Sequence, residues 1–227
     1  MTIEKYRMIE EYMLSCMRDS AHDKEHVYRV LYNALEIAAE ENEVNYDVLV
    51  TACLLHDVGR QTQLENPTLC HAQVGSQMAE DFLLSKHFDR DFVSRVKHCI
   101  AAHRFRKHMP PESAEAKILF DADKLDVTGA LGIARTLMYK GNTDEPIYTR
   151  RENGEISNGE GDGQSSFFRE YKFKLEKLYD RFYTEKGKAM ATERGRIARE
   201  FYESLYREVS APDEIGRTRL QELLEKK

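Results

Sequence analysis

Apolar residues recur along this chain at helical spacing, and nowhere do they alternate at period two over the length of a strand. Val74, Met78 and Phe82 follow one another at i, i+4, and Ile118 and Leu119 repeat in the same way towards Val127, Ala130, Leu131 and Ala134. Between the scattered prolines Pro67, Pro110, Pro111, Pro146 and Pro212, the pattern predicts helices over about 3–18, 24–42, 45–57, 71–86, 89–104, 114–140, 165–208 and 213–225. Gly59 stands where a helix ending at Asp57 or Val58 takes its C-terminal glycine. Residues 141–163 break the pattern, with five of the twelve glycines, Asn142, Asn153 and Asn158, and almost nothing apolar. Such a stretch has too little to bury and reads as a mobile loop or flap. No repeat is visible and the tail from Ser165 is amphipathic. The chain therefore reads as one all-α domain with a core at about 20–140, a flexible loop at about 141–164 and a helical extension at about 165–225.

Composition narrows the function classes. Lys plus Arg number 34 against 40 Asp plus Glu, a formal charge of −6, which argues against coating a nucleic-acid polymer. With 41% hydrophobic and 33% charged residues over 227 positions, the chain can bury a sizeable core. Its longest apolar run, Val48 to Leu55 with only Thr51 interrupting, is too short to span a bilayer. Residues 1–20 mix charge with apolar residues and do not read as a secretory signal. Cys16, Cys53, Cys70 and Cys99 form no CxxC pair, so they read as small hydrophobes in a reducing compartment rather than as disulfides or zinc ligands. A cytoplasmic protein with no membrane association is expected.

Three groups of polar residues sit where a core is predicted. His56-Asp57 ends the run Val48 to Leu55, at a helix C-terminus whose dipole is the wrong sign for a carboxylate. A bound cation would remove both penalties; an Asp57–Arg60 or Asp57–His56 surface cap is the other reading, and the dipeptide alone leaves both open. In Phe120-Asp121-Ala122-Asp123-Lys124-Leu125-Asp126, Asp123 shares a face with Leu119, Phe120 and Val127 and is the best inward-pointing carboxylate. Asp126 faces Ala122, Gly129 and Ala130, and Asp121 leans towards Lys117 and Leu125. His26 borders the stripe Val27, Leu31, Ala34 and Ile37, with His22 and Asp23 in the N-cap region before it. Taken together, His26, His56, Asp57 and Asp123 are two imidazoles and two carboxylates on three helices. That set suits an octahedral divalent cation with two positions left for water and a phosphate oxygen.

At this point the sequence resembles the HD-domain phosphohydrolase superfamily, through His26-x-x-Arg29-Val30, Leu54-Leu55-His56-Asp57-Val58-Gly59 and Asp123-Lys124-Leu125-Asp126. It is similar in particular to a bacterial subfamily of small stand-alone HD proteins, through Ile100-x-x-His103, Ala116 to Leu119, Gly129 to Arg135, and a late helix carrying Lys174-Leu175, Thr184, Ala191 and Arg194. The resemblance implies an HD-type helical bundle with one divalent metal (Mn, Co, Mg or Ni) on His26, His56, Asp57 and Asp123. It implies hydrolysis of nucleotide phosphoanhydrides, with release of pyrophosphate from (deoxy)nucleoside triphosphates in the nearest relatives. The alternatives are a phosphodiesterase, a nucleoside-monophosphate phosphatase, or a non-catalytic nucleotide- or metal-binding module.

Within that frame His103 is the leading candidate to orient phosphate or shuttle a proton. It stands beside Arg104, Arg106, Lys107 and His108, of which the last three read as a solvated basic loop. Lys124, next to a proposed ligand, would neutralise developing charge or pair with Asp121. Arg60 and Arg104 are candidates for substrate binding. His71 resembles the extra histidine of two-metal HD enzymes, which with His103, or less well His98, would complete a second site. The nearest subfamily does not require it, so the reading is one metal, with His71 contacting substrate or capping its helix. His87 and His108 read as surface residues. The expected partner is a small-molecule nucleotide, and a homodimer stays open.

Overall fold

The computed structural model describes residues 1–17, 24–104 and 109–225. Among these residues regular structure is helical throughout, apart from one isolated antiparallel bridge between Arg150 and Ile156. The helices are α1 (Ile3–Cys16), α2 (Lys24–Ala38), α3 (Tyr46–Leu55), α4 (Arg60–Glu65), α5 (His71–Ser85), α6 (Arg90–Ala102), α7 (Ala114–Leu125), α8 (Gly129–Asn142), α9 (Phe167–Phe173) and α10 (Glu185–Glu225), with a 3₁₀ turn at Leu175–Lys177. None is long and apolar enough to cross a membrane. The chain falls into two compact units, Met1–Asp126 with Phe182–Lys188, and Val127–Arg181 with Ala189–Lys227.

In the first unit α3 is the central helix, touching α1, α2, α5, α6 and α7. Its sequence explains this: Val48, Leu49 and Thr51 to Leu55 are all buried, so the helix is covered on every side. Asn45 starts it by accepting from Val48 N at 3.0 Å. Ser113 does the same for α7 through Ala116 N at 3.2 Å, and Asp89 for α6 through Asp91 N and Phe92 N. Helix α5 packs on α6 and buries a face of small residues, Ala72, Gly75, Ser76 and Ala79, closed by Leu83, with Gly75 against Gly59. The expected stripe of Val74, Met78 and Phe82 is therefore not the buried face of α5. It is half-buried, and Phe82 stacks on Tyr12 of α1 with ring centroids 3.9 Å apart.

The second unit has an aromatic core of its own, with Phe167, Phe168, Tyr171 and Tyr202 packed around Ile133, Ile156, Leu175 and Ala198. Tyr171 and Tyr202 stack at 4.1 Å. Segment 141–163 contributes to this core more than its composition predicts. Ile156 and Ser157 are buried, Asp162 accepts from Thr149 Oγ1 and Ser157 Oγ, and Arg150 bonds Asp213 through both guanidinium nitrogens.

Several helix boundaries differ from the sequence expectation. The predicted 114–140 helix is two helices, because α7 ends at Leu125 and Gly129 takes a left-handed φ of +63°, which no side-chain-bearing residue adopts cheaply. As a result Val127, Ala130, Leu131 and Ala134 are exposed rather than a core stripe. The predicted 165–208 helix is interrupted between α9 and α10. Pro212 sits inside α10 instead of separating two helices, in an exposed stretch where water can satisfy the carbonyl it leaves unpaired. Helix α4 was not expected. Gly59 is not a left-handed C-cap either: its φ is −85° and it precedes α4. A Cβ there would meet His71 O at 2.4 Å and Gly75 N at 2.5 Å, so glycine permits the close approach of α5.

Candidate metal centre

Helices α2, α3, α5, α6 and α7 direct four imidazoles and two carboxylates into one buried region of the first unit. Each imidazole has its Nδ1 against an acceptor. His26 Nδ1 donates to Asp126 Oδ2 (2.8 Å), His56 to Cys53 O (2.8 Å), His71 to Gln63 Oε1 (2.6 Å) and His103 to Ile100 O (2.6 Å). Because those oxygens only accept, each Nδ1 carries hydrogen and each Nε2 presents a lone pair. The lone pairs then face each other in two pairs: His26 and His56 Nε2 are 3.3 Å apart, as are His71 and His103 Nε2. Two neutral acceptors facing each other cannot satisfy one another; a cation between them satisfies both, whether a metal ion or, for His26 and His56, a proton carried by His26.

Asp57 lies between the pairs. Its Oδ2 is 3.4 Å from His26 Nε2 and 3.6 Å from His56 Nε2, and its Oδ1 is 3.5 Å from His71 Nε2 and 3.8 Å from His103 Nε2. Asp123 Oδ1 completes the first group at 3.4 Å from His26 and 3.9 Å from His56. The ligand atoms thus form two sets of metal-holding geometry, His26–His56–Asp123 and Asp57–His71–His103. Asp57 Oδ1 is buried with no hydrogen-bond donor, a costly state that a cation beside His71 and His103 would relieve. The donor set of imidazole nitrogens and carboxylate oxygens is that of a divalent metal, so the residues fit the ion the sequence implies.

The electrostatics agree. Burial works against charge on His26, yet the hydrogen bonds of Asp123, Asp126 and Asp57 outweigh it and raise its pKa to about 11, so the carboxylates demand a positive charge at this spot. Burial also works against ionised Asp57 and Asp123, but their imidazole neighbours, with Arg60 beside Asp57, hold both well below the usual carboxylate range. Burial presses His71 down to about 3, against the pull of Asp57 and helped by Arg60, His103 and Arg104; it presses His103 down to about 4. Both imidazoles are neutral near pH 7, the form that binds metal.

The structure brings His26, His56, Asp57 and Asp123 together as expected, and buries Asp57 rather than leaving it in a surface cap with Arg60. Arg60 Nε still donates to Asp57 Oδ2 at 3.0 Å. His71 is not a helix cap, since Cys70 holds that position; its ring is buried with His103 and Asp57. Arg104 is half-buried beside Cys70. Lys124 stands over the Phe120 ring at 4.4 Å; burial raises the Asp121 carboxyl despite its hydrogen bonds from Thr184 and Tyr183 and the smaller pull of Lys124. His98 is spent on Glu112 N at 3.4 Å, and His87 is exposed. His22, Asp23, Arg106, Lys107 and His108 lie outside the described residues.

Asp123 is not the most inward of the three carboxylates. Asp121 and Asp126 are fully buried, while the Asp123 side chain keeps 22% of its exposure. Asp121 accepts from Tyr183 N, Thr184 N and Thr184 Oγ1, which ties segment 182–188 to α7. Asp126 accepts from His26 and from Arg29. Sequence reasoning gave neither Asp126 nor Gln63 a role at the site. The i, i+3 pairings His26/Arg29 and Asp123/Asp126 are the signal that could have pointed to Asp126.

Residues 24–128 match the family described as HD domain. The Bacillus subtilis protein YpgQ is 28% identical over 217 residues, covering 93% of this chain and 97% of its own. The crystal structure of YpgQ in complex with ADP superposes with a TM-score of 0.68 at 24% identity, over 88% of this chain and 97% of that one. An HD-superfamily hydrolase from Bacillus thuringiensis gives 0.69 at 27% identity, over 90% and 96%.

Proposed function

We propose that this chain, whose residues 24–128 match the HD domain family and which is similar over most of its length to an HD-superfamily hydrolase, is a metal-dependent phosphohydrolase of nucleotides that releases pyrophosphate from (deoxy)nucleoside triphosphates. The observation that carries this reading is the convergence of four imidazole Nε2 atoms on the two oxygens of buried Asp57, one of which has no donor. YpgQ, which matches almost the whole chain, has been crystallised with ADP, and that supports a nucleotide as ligand.

His26, His56, Asp57 and Asp123 would hold a divalent ion (Mn, Co, Mg or Ni), which when bound polarises a phosphoryl oxygen and lowers the pKa of water. The chain's own contribution is the rest. Arg60, half-exposed and anchored by Asp57, and Arg104 receive the phosphate tail. His71 and His103 present neutral Nε2 lone pairs beside Asp57 Oδ1, and there His103 would take up a proton from water rather than bind the phosphate itself. Lys124 adds positive charge beside Asp121 and Asp123. A second reading, two ions rather than one, is favoured by Asp57 Oδ1 itself, which stands between His71 and His103.

The test is metal-stripped protein reloaded separately with Mn²⁺, Co²⁺, Mg²⁺ or Ni²⁺ against mono-, di- and triphosphates and diesters, scoring phosphate and pyrophosphate. The expected result is metal-dependent pyrophosphate release, lost in Asp57→Ala. Phosphate alone, or cleavage of diesters only, would move the substrate class. Tight metal and nucleotide binding without turnover would leave a binding module in place of the enzyme.

A further inference from the structure

Four imidazoles are held by Nδ1–H bonds, but the acceptors are not alike. His56 and His103 donate to backbone carbonyls and His71 to an uncharged amide; His26 alone donates to a carboxylate. That carboxylate, Asp126, is fully buried, and Arg29 grips it through Nε to Oδ1 at 2.6 Å and through a second guanidinium nitrogen to Oδ2 at 3.1 Å. The arrangement is written into two packed helices. His26 and Arg29 are one turn apart on α2, Asp123 and Asp126 one turn apart at the end of α7, and α2 packs on α7.

We propose that Asp126, locked by Arg29, is the positioning residue that fixes His26 as a ligand and makes the His26–His56–Asp123 group the tighter of the two cation positions. This rests on the metal reading above and deepens it. The physical ground is twofold. A charge-assisted bond holds the Nδ1–H tautomer and the ring orientation more firmly than a neutral one. It also increases the electron density on the distal nitrogen, and so the basicity of the ligand. Arg29 prevents Asp126 from turning towards the ion as a ligand itself, because both carboxylate oxygens are engaged. The Asp57–His71–His103 group has only neutral partners behind its imidazoles and takes a cation more weakly.

The test is titration of metal-stripped protein with Mn²⁺ alone, reading free Mn²⁺ by electron paramagnetic resonance, for wild type, Asp126→Asn and Arg29→Lys. Asparagine can still accept from Nδ1–H but lacks the charge. Asp126→Asn is expected to weaken the tight class about 10- to 100-fold and to leave the weaker class unchanged. In Mg²⁺-loaded protein, the far-downfield His26 Nδ1–H proton resonance should move upfield in the same variant, a signature that loss of packing alone would not give. Arg29→Lys, which keeps charge without the two-point grip, should fall between; if Asp126→Asn does not fold, Arg29→Lys decides the matter. A tight class unchanged in the folded variants, or both classes weakened equally, overturns the proposal while leaving the metal reading intact. Wild type that binds no Mn²⁺ overturns both.

Discussion

Asp57 accepts from Arg60 through Oδ2 and has no donor at Oδ1, so the local electrostatics turn on this one carboxylate. Behind it, the neutral state of His71 and His103 has a consequence for acid stability. Burial holds them at about 3 and about 4, against 6.5 when exposed. Between about pH 6.5 and 4 the unfolded chain therefore binds protons that the folded one refuses, and each histidine withdraws stability as pH falls through that window. His103→Gln removes one such group. In metal-free protein it should flatten the fall of the unfolding midpoint between those pH values by an amount on the order of 3 kcal/mol in stability. A slope identical to wild type would contradict the buried neutral imidazole. At this scale His26, His56, Asp57 and Asp123 were legible in the sequence, because charged or polar groups beside Leu54, Leu55 and Leu119 need a reason to be there. His71 was named from the resemblance alone, and Asp126 and Gln63 were given no role, because what they do depends on distances across the fold, from Asp126 to His26 and from Gln63 to His71.

Helices place these residues through features that composition conceals. The approach of α5 to Gly59 seats His71 beside Asp57, and Gly59→Ala would set a Cβ 2.4 Å from His71 O. Chemical denaturation should show a loss of about 1–3 kcal/mol, together with weaker metal binding as His71 shifts; a neutral substitution would contradict the close contact. Segment 182–188 is pinned in a comparable way. Thr184 Oγ1 donates to buried Asp121 and accepts from Gly187 N. Thr184→Val should therefore cost about 1–3 kcal/mol by stripping a bond from a buried carboxylate and a cap from α10, measured as a lower unfolding midpoint. Periodicity located most helices of the first unit within a few residues. It failed at 126–128, where Gly129 turns left-handed inside an unbroken helical pattern, and at Pro212, which the helix tolerates because it is exposed.

For the whole chain, helical spacing without alternation sufficed to give the all-α class, since it reflects which faces must leave water. The packing of 141–163 was hidden because few of its own residues are apolar; Ile156 joins a core supplied by Phe167, Phe168 and Tyr202 from elsewhere in the chain. Both ligand groups lie within the first unit, so metal binding is coupled to the folding of that unit. Calorimetry should show Mn²⁺ at one hundred times its dissociation constant stabilising the wild type by about 2.7 kcal/mol, with no such gain in Asp57→Ala. The most direct measurement is an anomalous difference map at the manganese absorption edge from crystals of the Mn²⁺-loaded protein. The account predicts a peak enclosed by His26, His56, Asp57 and Asp123, with any second peak beside His71 and His103. A fully loaded crystal with no peak at the first position would contradict it.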